Sequence, residues 1–339
     1  MTHQEVWMAR PAGSEFAPPT TPLEQVLYEV KKTIVGQDAL LERLVVALLA
    51  RGHVLVEGVP GLAKTLAVKT LAAVTGGQFH RVQFTPDLVP ADLIGTRVFH
   101  QPTGDFQVSL GPVFTNLLLA DEINRAPAKV QSALLEVMQE HQVTIGRETH
   151  RVPEPFLVMA TQNPIESEGT YPLPEAQLDR FMLKVLVGYP SPTEEYAVVD
   201  RALHRPGPPQ RVLGPADLLS LQARADQVYV DPALVEYSVR LAVATRRPGT
   251  VGLGRLARYV LYGASPRASI NLVLAARALA VLRGRDYAVP SDLTELVYDV
   301  FRHRIVLSYE ALSDDVTADA VLAQVLAAVG VPDMPARAG

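Results

Sequence analysis

Apolar and polar positions follow two rhythms along this chain, and the change falls near residue 190. Before it, short apolar runs recur between Gly, Pro or charged residues. They are Val54-Leu55-Val56, Leu117 to Ala120, Phe156 to Thr161 and Leu183 to Val187, while Phe79 to Phe84 alternates apolar and polar residues. Runs of that length, bounded by turn residues, predict strands. Between them Leu23–Lys32, Ala39–Ala50, Lys64–Val74 and Val130–Glu140 repeat their apolar residues at helical spacing, with Asp38 read as an N-cap. Alternating strands and helices predict an α/β core with a five-stranded parallel sheet. Two further stretches, Thr96 to Leu110 around Pro102-Thr103-Gly104 and Gln142 to Val152 around Gly146, read as hairpins. After Gly188-Tyr189-Pro190-Ser191-Pro192 the strands stop. Ala- and Leu-rich helices are predicted over about 193–203, 215–228, 232–246, 254–262, 267–283, 291–302 and 316–329. The expected division is a tail over 1–20, a nucleotide-binding core over 21–190, an all-α domain over 191–330 and a tail over 331–339. The first tail is Pro-rich and aperiodic, and its Trp7, the chain's one tryptophan, reads as incidental.

The first strand leads into Gly58-Val59-Pro60-Gly61-Leu62-Ala63-Lys64-Thr65. A strand, a glycine turn and a helix start bring backbone N–H groups and the positive end of a helix dipole to one point, which suits a polyphosphate. Lys64 is then placed for the β- and γ-phosphates, and the Thr65 hydroxyl for Mg²⁺. One residue departs from the pattern, since Ala63 stands where glycine is usual. The third strand ends in Asp121-Glu122. Ligands of open α/β sheets sit beyond the carboxyl ends of strands. Asp121 can hold the metal and Glu122 can polarise an attacking water, although a charged strand-to-helix turn has the same appearance. Asn163, after the fourth strand, holds that water, touches the γ-phosphate, or serves as an ordinary turn residue. Val35-Gly36-Gln37 is either a helix-linking turn or an apolar edge for a nucleotide base.

Bulk properties narrow the class. The chain has 339 residues, 48% of them hydrophobic, a net charge of −5 and no cysteine. Disulfides, thiol catalysis and Cys-ligated zinc are excluded, and the eight histidines show no metal-ligand spacing. No secretory signal and no apolar stretch of the roughly 18 residues a membrane span needs is visible, so a cytoplasmic protein is expected. His303 between Arg302 and Arg304 reads as a solvated or packing cluster. Arg246-Arg247 reads as satisfying helix-end carbonyls, and Arg125 as an interface contact or nucleotide relay, or else as a surface charge.

Several long stretches resemble the MoxR family of AAA+ ATPases, in the helix-2-insert clade. They are the loop from Gly58 to Thr65, Ala120-Asp121-Glu122-Ile123-Asn124-Arg125-Ala126, Ala160-Thr161-Gln162-Asn163-Pro164, the run from Gly169 to Phe181, and Gly263-Ala264-Ser265-Pro266-Arg267. The resemblance spans roughly residues 23 to 310, and Ala63 matches the family's usual loop. It implies a P-loop AAA+ core followed by a small helical lid, with ATP and Mg²⁺ as nucleotide and cofactor. By resemblance Lys64 and Thr65 are the Walker A pair, and Asp121 and Glu122 the Walker B pair. Asn163 is sensor 1, Arg180 an arginine finger acting on a neighbouring subunit's nucleotide, and Arg267 sensor 2, acting on its own or a neighbour's. It further implies a ring homo-oligomer, usually a hexamer, a protein client, a von Willebrand factor A domain partner, and work such as protein maturation or metal insertion. Two other readings compete. A DNA-directed motor needs basic hairpins, yet the first carries Arg97 against Asp105 and the second Arg147 and Arg151 against Glu148. A non-hydrolysing nucleotide switch has no use for Glu122, Asn163 and Arg180 together.

Overall fold

The structure, a computed structural model, describes residues 21–102, 104–164, 169–204 and 207–333. Trp7 and Thr103, the latter in the first hairpin turn, lie outside the described residues. Two helices open the described chain, α1 (Pro22–Thr33) and α2 (Asp38–Leu49). Thr21 and Glu24 close a reciprocal capping box on α1. Asp38 is the first residue of α2 rather than its cap; Gln37 takes that place in a left-handed conformation, and Asp38 pairs with Lys31 at 3.1 Å.

The core continues through β1 (Val54–Gly58), α3 (Lys64–Val74), β2 (Phe79–Gln83), α4 (Pro90–Ile94), the hairpin of β3 (Gly95–His100) and β4 (Asp105–Leu110), and β5 (Leu117–Asp121). It proceeds through α5 (Ala128–Glu140), the second hairpin of β6 (Gln142–Ile145) and β7 (Glu148–Arg151), β8 (Leu157–Gln162), α6 (Glu175–Leu178) and β9 (Leu183–Val187). Strands β2, β5, β8, β1 and β9 form one parallel sheet in that order. The apolar residues of β1, β5 and β8 are buried on both faces, which is why these strands read as continuous apolar runs. Register aligns their carboxyl ends: Glu57 lies beside Gln162, Ala120 beside Ala160, and Gln83 beside Asp121. Both hairpins stand as separate two-stranded ribbons.

Beyond β9 come α7 (Pro192–Leu203), α8 (Pro215–Gln227), α9 (Pro232–Arg246), β10 (Val260–Tyr262), α10 (Pro266–Leu282), α11 (Pro290–Phe301), β11 (Val306–Leu307), α12 (Tyr309–Ser313) and α13 (Ala318–Ala328). Prolines open α7 to α11, where a missing N–H costs nothing. Helix α10 is the hub. It packs on α8, α9 and α11 and also reaches α2 of the core. The helix expected over 254–262 is instead a short 3₁₀ turn followed by β10, which pairs with β11 in a small antiparallel bridge. Strands this short carry no periodicity that a sequence can display. Arg246 Nε donates to the Ala242 carbonyl at the end of α9, as its helix-end position suggested.

Candidate functional site

The loop after β1 is shaped at its first residue. A Cβ on Gly58 would lie 2.5 Å from the Val187 carbonyl oxygen, so only glycine lets β1 leave the sheet this close to β9. Gly61 (φ +85°) and Ala63 (φ +55°) then take left-handed conformations that turn the chain into α3. Alanine pays roughly 1–2 kcal/mol there, which explains why glycine is the commoner residue at that position. Lys64 Nζ donates to the Gly58 carbonyl at 2.6 Å. Burial pulls the Lys64 pKa down, against the opposing pull of Asp121 and Glu122. Val59 tucks into the core beside the loop.

Pro60, Gly61, Leu62, Ala63, Lys64 and Thr65 form one wall of a cleft of about 440 Å³, and Asp121, Glu122 and Asn163 form the other. Residues drawn from the carboxyl ends of β1, β5 and β8 therefore meet at one edge of the sheet. Thr161 organises the acidic wall. Its hydroxyl donates to Asp121 Oδ1 at 2.6 Å and accepts from the Glu122 N–H at 2.9 Å. Glu122 holds φ +56°, a strained conformation for a residue with a side chain. Arg81 on β2 donates to Asp121 Oδ2 through Nη2 at 2.7 Å and Nε at 3.1 Å. Gln83 Nε2 and Arg125 Nη1 donate to Glu122 Oε2 at 2.9 Å and 3.2 Å. Arg125, left open on sequence, thus contacts the acidic wall through Glu122.

Arg81, Gln83 and Thr161 were not legible as site residues. Period-2 alternation puts Arg81 and Gln83 on one face of β2, but only the pairing of β2 with β5 sets that face beside Asp121.

Lys64 and Arg81, which line the cleft, make it attractive to a polyphosphate. A divalent cation fits the donor set through the Thr65 hydroxyl and Asp121 carboxylate, hard oxygens of the kind Mg²⁺ selects. Among the described residues no group of three or more His, Cys, Asp or Glu could hold a metal alone. A cation held there would need further oxygen ligands from phosphate or water.

On the other side of the loop lie two more clefts. One, about 540 Å³, is lined mostly by apolar groups including Val35, Ala63, Leu66 and Val198. The other, about 260 Å³, adds Gln37, Tyr189 and Glu195. Gly36 lines neither; it sits at φ +65° under the Glu194 carboxylate. Two of the expected site residues stand apart. Arg180 faces a polar groove with Glu136, Glu140 and Gln177. Arg267 pairs with Asp179 at 3.2 Å. Neither lines the phosphate cleft of its own chain.

A parallel sheet with a glycine loop at β1, an acidic pair at β5 and a helical lid defines an AAA+ ATPase. A family model for "ATPase family associated with various cellular activities (AAA)" matches residues 53–183, and a model for the AAA lid domain matches 253–325. The chain is 56% identical to Chaperone MoxR1 of Mycobacterium tuberculosis over 97% of its own length and 87% of that protein's. It is 34% identical to Protein MoxR of Methylorubrum extorquens over 87% and 91%. The crystal structure of a candidate ATPase from Cytophaga hutchinsonii superposes with a TM-score of 0.87 at 47% identity, over 92% of this chain and 95% of that one. The chain belongs to the MoxR family of AAA+ ATPases.

Thr161→Val tests the acidic wall. It keeps the side-chain shape but strands the Glu122 N–H, so it is expected to cost about 1–3 kcal/mol and to slow ATP turnover. Thermal unfolding and steady-state hydrolysis check this, with Thr161→Ser restoring both.

Proposed function

We propose that this chain is a Mg²⁺-dependent ATPase that assembles into a ring, a hexamer by family resemblance, and spends ATP hydrolysis on chaperone-like remodelling of protein clients. The observation that carries the reading is a division of labour. One cleft gathers Lys64, Thr65, Asp121, Glu122 and Asn163, while Arg180 lies outside it. Hydrolysis of ATP breaks the bond between the γ-phosphorus and the β,γ-bridging oxygen, and a water oxygen takes its place. Lys64 and the loop N–H groups hold the β- and γ-phosphates. Thr65 and Asp121 would hold Mg²⁺, which would supply charge neutralisation for the transferring phosphoryl group. Glu122 takes the water's proton, and Asn163 orients that water. Val35 and Gln37, on the apolar side of the loop, are suited to the nucleotide base. Arg180 completes the site from a neighbouring subunit, since a head-to-tail interface can close into a ring. Arg267, joined to Asp179 beside Arg180, serves that same face.

The chaperone reading draws support from the Mycobacterium tuberculosis relative. A von Willebrand factor A domain partner follows from the resemblance alone. The first hairpin also suits a polypeptide. Val98, Phe99, Phe106 and Leu110 are exposed on it, Phe99 and Phe106 pack at 5.3 Å, and Arg97 lies over the Phe106 ring. That surface is apolar rather than a phosphate-tracking basic groove.

Hydrolysis per chain measured against protein concentration, with particle mass followed in parallel, tests the proposal. Specific activity is expected to rise as the assembly forms and to stay unchanged on adding DNA. Full activity in a monomer, or a large salt-sensitive stimulation by DNA, would refute it.

A further inference from the structure

The segment that carries Arg180 is held by the lid. Arg304, read from sequence as part of a solvated or packing cluster, is a buried cation whose side chain is 1% exposed. A guanidinium has five N–H donors, and the partners in the structure account for all five. Nε donates to Asp179 Oδ1 at 2.6 Å, and Nη2 to the carbonyls of Asp179 at 3.0 Å and Phe181 at 2.6 Å. Nη1 donates to the Met182 carbonyl at 3.2 Å and to the Val300 carbonyl. Four of these bonds fall on residues 179–182, on both sides of Arg180. The fifth fixes Arg304 to α11 of the lid.

Neighbouring lid residues add to this grip. His303 Nε2 meets the Phe181 carbonyl at 3.1 Å, and Arg302 Nη1 donates to the Lys184 carbonyl at 2.9 Å. At the start of α10, the N-cap Ser265 Oγ and Arg267 Nη1 both reach Asp179 Oδ2 at 3.2 Å. Burial lowers the Arg304 pKa to about 10 while Asp179 opposes the fall, so the group stays charged at neutral pH. The contrast with Arg180 is informative. Arg304 has no freedom to act on a nucleotide, whereas the Arg180 side chain faces an open polar groove.

We propose that Arg304 is the positioning residue for Arg180: anchored to the lid, its guanidinium holds the backbone on both sides of Arg180, so that a shift of the lid changes where Arg180 meets the neighbouring subunit's nucleotide. This rests on the reading of Arg180 as a residue acting between subunits. It gives the assembly a route from one site to the next, because the helical domain that lines the clefts beside the phosphate loop through α7 also aims the group that serves another site.

Arg304→Gln tests this. The variant is expected to bind a fluorescent ATP analogue with unchanged affinity and to lose at least tenfold in hydrolysis, a fraction of the roughly 10³–10⁵ such an arginine is worth. Mixed with Glu122→Gln subunits, which keep Arg180 correctly held, it is expected to regain activity, because its own cleft is intact. Arg304→Lys keeps a cation but has three donors instead of five. It is expected to behave in the same way with less loss of stability, and replaces the Gln variant in both measurements should that one fail to fold. Hydrolysis at the parental rate by either variant would overturn the proposal. So would a mixture that stays inactive while an Arg180→Ala and Glu122→Gln mixture recovers. If both mixtures stay inactive, the reading of Arg180 itself is wrong and the proposal falls with it.

Discussion

Replacing Arg180 with alanine is expected to lower ATP hydrolysis by about 10³–10⁵-fold while leaving nucleotide affinity nearly unchanged. The split follows from position. Lys64 and the loop backbone provide binding inside one chain, and Arg180 touches none of that cleft. In the proposed role its guanidinium contributes only where charge builds on the transferring phosphoryl group, so its loss is expected in turnover rather than in affinity. The fold should survive, since Arg180 is half-exposed in a solvent-lined groove. Steady-state hydrolysis beside equilibrium binding of a fluorescent nucleotide separates the two effects. Equal losses in both would place Arg180 in ground-state binding.

Glu122→Gln is expected to reduce hydrolysis by about 10²–10⁴-fold, the range for removing a general base, and to trap bound ATP. Glutamine keeps the size and can still accept from Gln83 and Arg125, which now meet the carboxylate at 2.9 Å and 3.2 Å. What it cannot do is take a proton. Single-turnover hydrolysis with retained ATP binding checks this, and an unchanged rate would remove Glu122 from the chemistry.

Much of this site was legible from residues alone because its parts lie at ends of apolar runs. Gly58 to Thr65 follows β1, Asp121-Glu122 ends β5, and Asn163 follows β8. Local signals suffice for such positions, and the resemblance supplied the role of Arg180, which no local pattern reveals. What stayed hidden depends on contacts between distant strands and domains. Arg81 looks like an ordinary polar residue of a strand until β2 is set beside β5. Thr161 looks like a strand residue until its hydroxyl is found between Asp121 and the Glu122 backbone. Arg304 reads only as part of a solvated or packing cluster because arginine is rarely buried. Its burial follows from carbonyls 122 and more residues away in sequence. The small β10–β11 pair escaped because it is too short to carry a rhythm.

The Ala63 departure in the phosphate loop is now explained by conformation. At φ +55° the position favours glycine, and alanine, with the smallest Cβ, carries the strain without filling the cleft. The loop thus remains one wall of a site whose other wall belongs to the sheet and whose last charge, in the proposed ring, comes from another subunit.

That shared site is tested most directly by mixing Arg180→Ala and Glu122→Gln subunits, each nearly inactive alone, and measuring ATP hydrolysis across the mixing ratio. If Arg180 serves its neighbour, the mixture regains activity with a maximum at intermediate ratios, where an Arg180→Ala cleft meets an intact Arg180 from a Glu122→Gln subunit. Hydrolysis that stays at the sum of the two inactive proteins at every ratio, while the subunits demonstrably co-assemble, would contradict it.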